Sequence, residues 1–374
     1  MIKLTPPMGW NSWNTFGHDI DENMIKETAD VMVSSGLLAA GYDYLVIDDC
    51  WQEKKRGKDG RLVASKEKFP SGMKAIADYV HSKGLKFGMY TCVGTMTCGE
   101  YPGSNDYEFI DAQSFAEWEV DYLKVDYCFK PSTDDGAVLY KRMALALDNC
   151  GRDILLSACS WGADETYKWI KQTGASLWRS TGDIVDSWES IKDLVEREIP
   201  LQQYNGIGCF NDMDMLVVGM RGRGNVGLTG CTDDEYRTHF SLWALLNSPL
   251  MIGCDIRSMD EETKKILTNK ELIKINQDGA GRQPHLITNN TNHMIWVKHL
   301  ENGDLAIGLF NMTDNNLHIF FSFADIGINR STGKSLHFTD VWTNEESTYY
   351  DSYVDNLAPH TCKVFRAKLV DHEF

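Results

Sequence analysis

Five aspartates stand at or just past short apolar runs, where side chains from separate strands can converge. They are Asp48 and Asp49 in IDDCW, Asp126 in LKVDYC, Asp183 in WRSTGD and Asp214 in NDMDM. Lys124 and Arg179 place two cations among them, and Trp13, Tyr90 and Trp161 bring aromatic faces, with Met215 beside Asp214. Each residue alone has a plain explanation. An Asp after a strand commonly caps the next helix, a Trp there packs, and Lys124 with Asp126 can form a structural ion pair. Five such carboxylates on one rim exceed what capping needs, and unpaired they would repel one another. A carboxylate-rich pocket with aromatic walls suits a neutral polyol. Carboxylates accept hydrogen bonds from hydroxyls, and an indole face packs on the C–H side of a sugar ring. Two carboxylates flanking a glycosidic bond can hydrolyse it, one attacking or activating water and one protonating the leaving oxygen.

These residues share a mouth only if the chain builds a barrel. Glycines and turn residues cut the first three-quarters into apolar runs at Met8–Asn11, Tyr44–Asp48, Lys86–Thr91, Tyr122–Asp126, Ile154–Cys159, Ser176–Arg179, Asp214–Val218 and Leu250–Cys254. Short apolar runs of this kind are expected of parallel strands buried on both faces. Helical spacing fills the gaps: 22–34, 72–82, 107–120, 136–149, 164–173, 187–204, 233–248 and 260–276. Strand then helix, about eight times, predicts an α/β fold, a (β/α)₈ TIM barrel over residues 1–281 with its chemistry at the C-terminal strand ends. A doubly wound open sheet is the alternative, but no GxGxxG opens a helix. Beyond Asn276 the residues alternate apolar and polar between turn signals, predicting a C-terminal antiparallel β-sandwich over 282–374.

Bulk composition narrows the partners. Across 374 residues, 37 basic against 54 acidic side chains leave a formal net charge of −17. That balance speaks against nucleic acid, anionic membrane or a highly anionic substrate. No run approaches the roughly 18 apolar residues of a membrane span. The start, MIKLTPPMGW, has no apolar signal region and reads as cytoplasmic, the alternative being a secreted chain whose leader has been removed. Ten cysteines show no CxxC pair and no zinc spacing.

The series MGWNSW, IDDCW, KFGMY, DYLKVDYC, WRSTGDIVDSW and NDMDML resembles the retaining α-galactosidases and α-N-acetylgalactosaminidases of glycoside hydrolase family 27 from about Pro6 to Asp278. The β domain is of the family type as well. The resemblance implies roles. Asp126 matches the nucleophile and Asp183 the general acid/base. Asp48 and Asp49 match the pair that binds O4 and O6 of a galacto-configured ring. Lys124 and Arg179 match residues that hold ring hydroxyls. Trp13 and Met215 match apolar walls, Tyr90 lies near the nucleophile, and Asp214 matches a further rim carboxylate. Cys98, at the same mouth, and Cys128 match a disulfide. Lys124, two residues before Asp126, shares its strand face and should lower its pKa, while surplus carboxylates should raise that of Asp183. Two carboxylates suffice for both steps, so neither metal nor organic cofactor is expected. The expected partner is a small carbohydrate, and family members include dimers, so a homo-oligomer is also an expectation.

The sequence departs from the family in two places that bear on chemistry. Cys50 and Cys159 lack their usual disulfide partners and are expected to be free thiols, which reads as a reducing compartment and is at odds with a Cys98–Cys128 bridge. In CSWGA, Ser160 stands where α-galactosidases of the family usually carry Glu, and Ala163 where some carry a larger residue. This Ser/Ala pair resembles the α-N-acetylgalactosaminidases, Ser160 hydrogen bonding an acetamide and Ala163 meeting its methyl. The expectation is therefore retaining hydrolysis of terminal α-linked N-acetylgalactosamine. An α-galactosidase is the alternative, then a β-L-arabinopyranosidase, against which the Asp48–Asp49 pair argues. A sugar-binding protein without catalysis should lack Asp126 or Asp183, and both are present.

Overall fold

Eight short strands follow, all but the seventh on the runs read above: β1 Met8–Asn11, β2 Tyr44–Val46, β3 Lys86–Cys92, β4 Tyr122–Asp126, β5 Leu155–Cys159, β6 Leu177–Arg179, β7 Phe210–Asp212 and β8 Leu250–Ile252. The computed structural model describes residues 5–289 and 293–372. Residues 1–4, 290–292 and 373–374 of the two expected domains lie outside them. All eight strands pair in parallel, in the order β7-β6-β5-β4-β3-β2-β1-β8. The cylinder closes through a parallel bridge between Leu216 and Ile252, with Leu216 N–H donating to Met251 O at 2.7 Å and Gly253 N–H to Leu216 O at 2.9 Å. This is the (β/α)₈ barrel expected.

Alternation along each strand sorts the side chains. Leu123 and Val125 of β4 pack outward with the helices, in the large core that also holds Leu156 and Ala158 of β5 and Trp178 of β6. Tyr44, Val46, Tyr122, Leu155, Leu177, Phe210 and Met251 form a separate cluster inside the cylinder. Inward positions therefore run Tyr122, Lys124, Asp126 on β4 and Leu177, Arg179 on β6. The cylinder is plugged by apolar residues below and opens to charged ones above.

The seventh strand differs from the expectation of Asp214–Val218. It is Phe210–Asp212, because Asp214 takes a left-handed backbone, φ 79°, held by its N–H donating to Asp212 Oδ1 at 2.9 Å. Three expected helices also differ. The segment 164–173 forms two short 3₁₀ turns, since Asp164 and Glu165 both have φ of 49°. The helix begun at Trp188 ends at Glu198, where Pro200 converts the chain to a 3₁₀ turn. The segment 260–276 breaks into Glu261–Leu267 and Lys270–Asn276 because Asn269 caps the second helix. No helix among the described residues is long and apolar enough to cross a membrane.

The C-terminal unit holds β9 His285–Asn289, β10 His293–His299, β11 Leu305–Asn311, β12 Leu317–Ser322, β13 Lys334–Asp340, β14 Glu346–Tyr349, β15 Ser352–Leu357 and β16 Cys362–Asp371. Six of these make an antiparallel sheet, β14-β13-β16-β11-β10-β9, and β12 pairs with β15. Met294, Trp296, Phe310 and Val364 join the barrel's core. Ile295, Ile307 and Phe365 on the opposite face pack with Ile319 and Phe321 of β12. Lys298, fully buried at the junction, donates at 2.5 Å to Asn247 Oδ1 and to Ile275 O of the barrel.

Candidate active site

One cavity opens at the C-terminal ends of the barrel strands, and Asp48, Asp49, Lys124, Asp126, Arg179 and Asp183 all line it. Trp13, Tyr90, Cys98, Asp214 and Met215 complete the expected wall.

On the β1–β4 side, Asp48 Oδ2 accepts from Lys124 Nζ at 2.8 Å and from Asn11 Nδ2 at 2.7 Å. Asp49 lies beside it, receiving the Gly99 and Cys50 backbone N–H groups at 2.7 Å each. Burial raises the Asp49 carboxyl above its ordinary value despite those donors. Asp126 ends β4 as an inward residue. Its carboxylate accepts from Tyr90 Oη at 3.0 Å and from Tyr127 N–H at 2.8 Å. Burial pushes Asp126 up to about 6, with Lys124, Tyr127 and Tyr90 pulling the other way. Lys124 thus acts in the expected direction, but desolvation outweighs it.

On the β6–β7 side, Arg179 organises the acids. One nitrogen of its guanidinium meets Asp214 Oδ1 at 3.0 Å, and the other meets Asp183 Oδ1 at 3.0 Å and the carbonyl of Gly182 at 2.6 Å. Asp214 is buried, while the Asp183 side chain stands 73% exposed at the rim. What burial Asp183 has raises its pKa, but Arg179 and then Lys124 outweigh it and hold the carboxyl below its usual range. The expectation that surplus carboxylates would raise Asp183 is therefore corrected. The guanidinium in direct contact decides the sign.

The disulfide between Cys98 and Cys128 is formed. It ties the loop after β3 to the loop after β4, and its sulfurs lie within 4.8 Å of the Asp126 carboxylate. Cys50 and Cys159 are free thiols. Cys98, Asp126 and Cys128 are the one group of potential metal donors among the described residues, and two of the three are bonded to each other.

Two expected contacts are absent. Ser160 and Ala163 do not line the cavity, whereas Cys159 and Trp161 do. Cys159 occupies the inward position at the end of β5, and Ser160 follows it just past the strand. Ser160 is fully buried, with its hydroxyl unpartnered. Trp161 then adopts φ 55° and swings its ring into the wall, edge-on to Tyr127 at 6.2 Å. Sequence reasoning counted Trp161 among the aromatic faces but missed Cys159 as a wall residue, although inward alternation along β5 marks it. It also missed Asn14, Ile184 and Val226. Val226 reaches the site because its N–H pairs with Asn14 O across 212 residues, at 3.0 Å, a contact no local pattern signals.

Comparison with known proteins agrees with this geometry. Residues 5–278 match the family described as alpha galactosidase A, and residues 290–367 match the alpha galactosidase C-terminal beta sandwich domain. The chain is 42% identical over 366 residues to an alpha-galactosidase of Cyamopsis tetragonoloba, covering 97% of this chain and 86% of that one. It is 43% identical to alpha-galactosidase 2 of Arabidopsis thaliana over 366 residues, 97% and 89% of the two chains. The solved structure of alpha-galactosidase I from Mortierella vinacea superposes with a TM-score of 0.92 at 31% identity, covering 99% and 98%.

Proposed function

Because this chain belongs to glycoside hydrolase family 27 and is a glycosidase, we propose that it releases terminal α-linked galactose with retention of configuration. The observation that carries galactose is the β5 wall. Cys159 and Trp161 close it, and Ser160 and Ala163, the residues that would receive a C2 acetamide, stand outside the cavity. The named relatives, all alpha-galactosidases, support the same reading.

The chemistry divides between the two sides of the cavity. The Asp126 carboxylate attacks the anomeric carbon as the bond to the leaving oxygen breaks, and Asp183 gives that oxygen its proton. A glycosyl-aspartate results. Asp183, now ionised, takes a proton from water. The water oxygen bonds to the anomeric carbon, and Asp126 is released as carboxylate. Tyr90 and the Tyr127 N–H hold Asp126 by its two oxygens. Asp48 and Asp49 accept from sugar hydroxyls, and Lys124 offsets their charge.

N-acetylgalactosamine remains the second reading, favoured by the residue types of Ser160 and Ala163 in place of the family's usual Glu and larger residue. Paired p-nitrophenyl α-galactoside and α-N-acetylgalactosaminide separate the two. We expect kcat/KM for the galactoside to exceed the other by at least about tenfold, the scale of one lost or clashing group. Faster turnover of the acetamido sugar would overturn the galactose assignment and leave the family intact.

A further inference from the structure

Glu198 is a carboxylate the scheme above does not use. It ends the helix Trp188–Glu198 and is fully buried between that helix and strands β6 and β7. Its partners come from three places. Ser180, just past β6, donates to Oε2 at 2.5 Å, while Asn211 of β7 and Gln202 of the following turn donate to Oε1 at 2.6 and 2.8 Å. Asn211 in turn accepts from Trp178 Nε1 of β6 at 3.0 Å. All three donors are neutral, and the charged group facing Glu198 is another acid, Asp212 on β7. Burial pushes Glu198 up to about 7. A buried acid without a cation is a costly way to join two strands.

What it joins is specific. Ser180 is the outward neighbour of the inward Arg179. The turn that follows is closed by Arg179 Nη2, which donates to Thr181 O at 3.2 Å and to Gly182 O at 2.6 Å and meets Asp183 at 3.0 Å. On the other strand, Asn211 precedes Asp212, whose Oδ1 fixes the Asp214 backbone, and Asp214 pairs with Arg179. We propose that Glu198 is a positioning residue for the general acid/base, locking the ends of β6 and β7 so that the Arg179–Asp183 turn keeps its place over the cavity. This rests on Asp183 being the acid/base of the glycosidase reaction.

Glu198→Gln conserves the hydrogen bonds. Its carbonyl can accept from Asn211 and Gln202, and its amide can donate to Ser180, whose own hydrogen then turns to the Asp212 carbonyl 3.2 Å away. Glu198→Ala removes the link from one end and Ser180→Ala from the other. We expect Glu198→Ala to lower kcat at least about tenfold, the scale of a misplaced catalytic group, with KM within about twofold. The loss should be larger on a simple alkyl α-galactoside than on the p-nitrophenyl one, because a poor leaving group depends more on the acid. Glu198→Gln should recover kcat to within about threefold, and Ser180→Ala should reproduce the Glu198→Ala pattern, the double variant being no worse than the worse single. Wild-type kcat in a folded Glu198→Ala or Ser180→Ala protein would overturn the proposal, and so would an equal loss on both substrates. If Glu198→Ala does not fold, Ser180→Ala alone decides. Asp183→Ala is the reference. Full activity there on both substrates would sink the acid/base assignment itself, whereas its inactivity beside an unaffected Ser180→Ala would sink only the role of Glu198.

Discussion

Asp126 and Asp183 hold protons in the opposite order to the one the proposed chemistry uses. Burial lifts Asp126 to about 6, and Arg179 holds Asp183 below the ordinary carboxylate range. The proposed reaction needs one proton shared by this pair, on Asp183, with Asp126 ionised. A sugar covering the exposed Asp183 strips its water and favours that arrangement. For the free protein only the pair's two proton losses matter. The second is the higher one, at about 6, so kcat/KM on p-nitrophenyl α-galactoside should fall about tenfold per pH unit above it. A profile from pH 4 to 9 checks this, and a plateau reaching past pH 8 would refute it.

The loops after β3 and β4 meet without clearance, and this sets a test at the level of elements. A methyl group added at Gly94 would collide with the Cys128 carbonyl oxygen and the Phe129 backbone. Those loops carry Cys98 into the wall beside Asp126. Gly94→Ala should therefore cost roughly 1–3 kcal/mol, the range for overpacking, and lower kcat with it. Thermal unfolding and turnover read together check this, and an unchanged melting temperature would show that the loops have slack. The same level shows what a sequence reveals. Strands β1 to β6 and β8 were legible because glycines and turn residues cut out short apolar runs there, and alternation along β4 places Lys124 and Asp126 together. Strand β7 was not, since the apolar run Met215–Val218 looks more like a strand than Phe210-Asn-Asp does. The left-handed Asp214 that separates them is set by tertiary contacts. Ser160 is absent from the cavity wall for a related reason. The family correspondence fixes its position in the chain, but the inward role at that strand end falls to Cys159, and the left-handed Trp161 turns the wall.

Across the whole molecule, buried acids set how stability responds to pH. Glu198 is raised to about 7 and Asp126 and Asp212 to about 6, each chiefly by burial. Between the ordinary carboxylate range and those values the folded chain holds protons that the unfolded chain has released. Stability from these groups is therefore full below about pH 4 and is lost as pH rises through 6 to 7. Glu198→Gln removes the largest contribution while keeping the hydrogen bonds. It should raise the melting temperature at pH 8, by up to about 3 kcal/mol of stability, and the gain should shrink toward pH 5. Calorimetry at both values decides, and a gain independent of pH would mean that Glu198 is not the titrating group.

The arrangement that serves a neutral sugar also carries an unbalanced charge. Among the described residues that line the cavity, Asp48, Asp49, Asp126, Asp183 and Asp214 face two cations, Lys124 and Arg179. A sugar mimic whose ring oxygen is replaced by a protonated nitrogen would bring its cation into that excess, close to the nucleophile. It should bind more tightly than the parent sugar. A uronic acid, with a carboxylate where galactose has its C6 hydroxymethyl, would meet Asp48 and Asp49 head on. The pocket proposed to cleave galactosides should therefore also be a trap for basic inhibitors and a barrier to acidic sugars.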